Sequence, residues 1–95
     1  MKTYSLRKHL IKEKLEGKTI LFDSTKSVLY TLNETASFIL KHILMKKSVS
    51  DVTNALVKMY GKKPESVEKD VRACLSRLIK DRILVPQKKE TTAKK

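Results

Sequence analysis

The chain is poor in the residues that carry most protein chemistry. It has one cysteine, Cys74, so no disulfide can close within it and a zinc site would lack thiolate partners. Its two histidines, His9 and His42, stand at no metal-ligand spacing, which assigns both to surface or half-buried structural roles. With only Gly17 and Gly61 there is no phosphate-cradling loop. Tryptophan is absent and Phe22, Phe38 and the three tyrosines are scattered, leaving no stacking platform for single-stranded nucleic acid. No apolar run is long enough to span a membrane, and no apolar segment behind Met1-Lys2 reads as a signal peptide. A cytoplasmic location is therefore the expectation.

Acid is scarce too. Ten Asp and Glu face 22 Lys and Arg, a net charge of +12 over 95 residues. That balance points to an anionic partner: nucleic acid, an acidic peptide or an acidic protein. The lysines are dispersed, with no run longer than two at Lys46-Lys47, Lys62-Lys63, Lys88-Lys89 and Lys94-Lys95, as on an ordinary solvated surface. The length suits one domain with a small core.

What is present is clearest in Val28-Leu29-Tyr30-Thr31-Leu32-Asn33-Glu34-Thr35-Ala36. Alternating β-branched and aromatic residues predict a strand up to Leu32. Asn33 then predicts a helix N-cap, and Glu34 suits the positive end of the helix dipole. Ala36, Ile39, Leu40, Ile43 and Leu44 repeat at helical spacing behind it, so a strand runs into a helix without a spacer. Upstream, Met1 to Arg7 has no period and reads as a loose arm. Leu10 to Glu16 tolerates helix or strand, but the turn signal Gly17-Lys18 and the strand-like Thr19-Ile20-Leu21-Phe22 favour strand. With a second turn at Asp23-Ser24-Thr25-Lys26, three strands form an antiparallel meander.

Downstream, Ser48 with Asp51 reads as a capping box opening a second helix with the stripe Val52, Ala55, Leu56, Met59 and Tyr60. Gly61 suits a left-handed C-cap, and Pro64 opens a third helix at its first position. That helix carries Val67, Val71, Cys74, Leu75, Leu78 and Ile79. Ile83-Leu84-Val85 reads as a short extended piece ending at Pro86, and Gln87 to Lys95 as a basic disordered tail. Domain bounds of 1–86 and 87–95 follow. Strands first and helices after indicate an α+β fold.

No catalytic constellation stands out. Glu65, Glu68 and Asp70 share a helix with Lys69 and Arg72, which explains them as paired surface charge, and Cys74 sits in an apolar stripe. The chain reads as a non-enzyme with no cofactor. Binding has a concrete route, because the outer strand of a meander offers unpaired main chain to a guest strand.

The strand running into Leu32-Asn33-Glu34-Thr35-Ala36, followed by two more amphipathic helices, resembles the PqqD-like family over residues 8 to 86. These peptide-binding domains are also called RiPP recognition elements, which serve ribosomally made, post-translationally modified peptides such as lasso peptides. The resemblance implies a winged-helix-like arrangement, a three-stranded sheet packed on a three-helix bundle. It also implies a groove for a leader peptide between the third strand and the third helix. By position, the groove would use Ser27, Val28, Leu29, Tyr30, Thr31 and Leu32, and helix-wheel geometry adds Asp70, Ala73, Cys74 and Arg77. Leu29 and Thr31 should contact the guest, whereas Tyr30, Leu32 and Cys74 can also be read as core. The opposite flank of the helix would offer Glu68 and Arg72. The family's usual glycines before the third strand and after the third helix are replaced here by Lys26 and Arg82. The implied partners are a precursor peptide and a modifying enzyme or leader peptidase. Two rivals remain open at this point, a basic winged-helix DNA-binding protein and a module that dimerises through its edge strand.

Overall fold

A computed structural model describes residues 3–86, so Met1, Lys2 and the tail at 87–95 lie outside the described residues. Three strands form the main sheet: β2 (Leu10–Leu15), β3 (Lys18–Asp23) and β4 (Val28–Leu32), in the order β2-β3-β4 with both pairings antiparallel. Three helices follow, α1 (Glu34–Leu44), α2 (Val49–Tyr60) and α3 (Pro64–Lys80). The α+β class and the three-stranded meander are as the residue pattern predicts.

The described part of the N-terminal arm, residues 3–7, is not loose. Tyr4–Leu6 forms β1, which pairs antiparallel with β5 (Leu84–Pro86) in a separate two-stranded sheet. Three-residue strands are too short to show a period, and their partners lie at opposite ends of the described chain. A hydrogen bond from the Arg7 N–H to the Ile83 carbonyl (3.0 Å) continues the pairing.

Local chemistry explains the joints. The β2–β3 hairpin turns at Glu16 and Gly17, both with positive φ (51° and 81°), as a two-residue hairpin turn requires. The left-handed position before β4 falls on Ser27 (φ 56°) rather than Lys26, and the one after α3 on Arg82 (φ 62°). Both are exposed, so side chains are accommodated where glycine would be easier. At the strand-to-helix corner the Asn33 side chain accepts the Ala36 N–H at 2.8 Å, and the buried Ser37 hydroxyl donates to the Leu32 carbonyl at 3.2 Å. Ser48 and Asp51 complete their capping box, and Gly61 closes α2 at φ 66°.

The core joins the inner face of β3 to all three helices through Leu21, Ile39, Leu40, Ile43, Val52, Leu56, Val67, Val71, Leu78, Ile83 and Leu84. Burial of these side chains is the main favourable contribution to folding. The opposite sheet face leaves Ile11, Phe22 and Leu29 exposed in one cross-strand row. β2 is exposed along nearly its whole length. His42 is half-buried, stacked on Phe38 with ring centroids 4.0 Å apart, and His9 is exposed. Neither belongs to a metal-binding group among the described residues.

A single carboxylate fixes the placement of sheet against helix. Asp23, fully buried at the end of β3, accepts the Thr25 hydroxyl (2.7 Å), the Thr25 N–H (2.9 Å) and the Lys26 N–H (3.2 Å). Its other oxygen meets the Arg7 guanidinium at 2.9 Å, and Arg7 also donates to the Arg82 carbonyl. The Thr25 hydroxyl, then Arg7 and the two turn N–H groups, hold the Asp23 carboxyl well below the usual carboxylate range, against the opposing effect of burial. Since Asp23 pairs with Val28, this node sets the start of β4 beside the end of α3.

Candidate functional site

A cleft of about 750 Å³ opens between β4 and α3. Among the described residues β4 is paired on one side only, so its outer edge carries main-chain N–H and C=O groups with no neighbouring strand there. Ile39, Leu56, Val67, Leu78 and Ile83 give the floor its apolar character, and all five are buried members of the core.

The structure brings together most of the residues expected from the sequence. Leu29, Tyr30, Thr31 and Leu32 form one wall, and Asp70, Ala73, Cys74 and Arg77 form the other. Leu29 is 61% exposed and Thr31 is also exposed. Tyr30, Leu32 and Cys74 pack on the core while also lining the cleft. Ser27 and Val28 lie outside it: Ser27 is in the turn, and Val28 is the first residue of the strand. The flank bearing Glu68 and Arg72 does not line the cleft, and those two side chains pair with each other at 2.8 Å.

Several lining residues lie beyond those expected at the groove. Tyr60 and Lys62 arrive from the end of α2 and the connection after it, and Asp81 from the C-cap of α3. Asp81 stands four residues beyond Arg77, so the helical wheel that selected Arg77 also points to it. Lys62 belongs to a loop and had no periodic signal. Burial pushes the Cys74 thiol up, and the nearby Arg77 charge partly offsets it. A thiol shifted this way is a poor nucleophile.

Comparison with known proteins decides the family. Residues 18–84, most of the chain, match the family of coenzyme PQQ synthesis protein D, PqqD. The chain belongs to the PqqD family. Two solved structures share the fold. A lasso peptide synthetase B1 complexed with the leader peptide superposes with a TM-score of 0.81 at 24% identity, covering 87% of this chain and 98% of that one. TbiB1 in complex with the TbiA(β) leader peptide gives a TM-score of 0.75 at 18% identity, covering 95% and 99%. No curated protein matches. In this PqqD-family chain the matched region contains all of β3, β4 and the three helices, and with them both walls of the cleft.

Proposed function

We propose that this protein captures the leader segment of a ribosomally made precursor peptide as an added strand along β4. It then presents the peptide to a separate modifying enzyme or leader peptidase. The observation that carries the reading is the edge of β4, unpaired among the described residues, facing α3 across an apolar-floored cleft. Main-chain hydrogen bonds along the edge supply affinity that is indifferent to sequence, and the cleft between β4 and α3 supplies selection. The relatives solved with leader peptides bound support this reading for the shared fold. The protein performs no chemistry itself, uses no cofactor and works in the cytoplasm alongside its client enzyme.

The net charge of +12 draws an acidic leader from a distance, an attraction that salt weakens. Binding to duplex DNA is disfavoured, because α3 exposes Glu65, Glu68 and Asp70 among its bases and Asp81 follows at its C-cap. Fluorescence anisotropy against a candidate precursor peptide, and against random duplex DNA, tests the function. Saturable binding of the peptide alone supports it. Binding of any DNA with steep salt dependence, and none of peptide, overturns it.

A further inference from the structure

We propose that the cleft selects peptides carrying opposite charges two positions apart, with an acidic side chain against Arg77 and a basic one against Asp81. This rests on the reading of the cleft as a peptide site and names the class of peptide it takes.

The net charge of the chain is misleading at the cleft itself. Its lining holds two cations, Lys62 and Arg77, and two anions, Asp70 and Asp81. None of these four side chains has a hydrogen bond or ion pair among the described residues. Charges left open along an apolar-floored cleft are available to a guest, and they discriminate by sign.

Arg77 and Asp81 are not explained by helix stability. The formed pair on α3 is Glu68 with Arg72, acid first at i, i+4, the orientation that helices favour. Arg77 and Asp81 have the reverse order and stay apart. Asp81 also puts a carboxylate at the negative end of the α3 dipole, where it is destabilising. Arg77 lines the cleft together with the half-buried Cys74 on the same helix.

Spacing turns this into a pattern. Four residues along a helix advance about 6 Å. Same-face side chains of an extended peptide recur about every 6.6–6.8 Å. The lining recurs along α3 from Asp70 through Ala73, Cys74 and Arg77 to Asp81, so the cleft follows the helix, and a strand lying in it meets Arg77 and Asp81 with side chains i and i+2. Asp70 lies seven residues before Arg77, about 10.5 Å away, which falls between same-face positions of a strand. Lys62, from the connection before α3, also lines the cleft.

The test is selection of a displayed library of random 12-residue peptides on the immobilised full chain. Enriched sequences should carry Asp or Glu two positions from Lys or Arg. Selection on Arg77→Asp should enrich two bases at that spacing, and on Asp81→Lys two acids. For one selected peptide, reversing the base should weaken binding about tenfold, and Asp81→Lys should restore it. Circular dichroism checks that each variant is folded. Peptides enriched without this pattern, or a pattern unmoved by the charge reversals, overturn the inference and leave the groove standing. Failure of every folded chain to enrich any peptide overturns the peptide reading as well.

Discussion

Strand addition makes a prediction that contact through side chains alone does not. β4 has five residues, and in an antiparallel sheet alternate residues direct both main-chain groups to the same side. Two or three residues of β4 therefore face the cleft, enough for about four to six hydrogen bonds to a guest strand. A net hydrogen bond contributes about 0.5–1.5 kcal/mol. Methylating one peptide nitrogen removes one donor, so a sensitive position should lose about 1 kcal/mol, roughly a fivefold rise in Kd. The neighbouring nitrogens point away from β4 and should tolerate methylation within about twofold. A series of peptides methylated one nitrogen at a time, titrated by anisotropy, reads this directly. Sensitivity should alternate with a period of two. Uniform tolerance, or loss without alternation, would refute strand addition even if the peptide binds.

Other perturbations probe the frame and the cleft separately. Ala73→Trp overfills the exposed α3 wall and should cost about 1–3 kcal/mol of peptide binding, roughly 5- to 150-fold, while folding stability stays within about 0.5 kcal/mol. Equilibrium urea unfolding of the same variant separates the two effects. Leu21→Ala empties a fully buried site on β3 and should lower stability by about 2–5 kcal/mol, seen as an earlier urea midpoint with an unchanged slope. Asp23 supplies the pH dependence. Its folded carboxyl binds a proton only far below the ordinary value of 3.8, so its contribution is complete above that value and declines as pH falls beneath it. Asp23→Asn should be less stable than the parent at pH 7, and the gap should narrow by pH 3. A constant gap would mean that the charge on Asp23 is immaterial.

Much of this architecture is legible in the residues because its joints use local chemistry. Asn33 with Ala36, Ser48 with Asp51, Gly61 and Pro64 each mark an end that the structure reproduces. The β1–β5 pairing is illegible because three-residue strands have no pattern and their union depends on chain ends meeting in space. Asp23 reads as an ordinary turn residue, since nothing local reveals that Arg7 reaches it. The strand wall of the cleft is what the resemblance to the PqqD-like family implies, and the helix wall follows from the helical wheel. Lys62 comes from a connection without a period, and Asp81 from just past the helix end.

Among the described residues the exposed strand β2 gives the sheet a second free border, and it differs in kind from the first. Were two copies to join there antiparallel about Glu13, Glu13 would oppose its twin and Lys12 would oppose Lys14. Charged residues on an outer strand are a common defence against such joining. A ribbon receptive along both margins would link copy to copy into open-ended filaments. Repulsion along one margin lets the other stay adhesive without the protein polymerising.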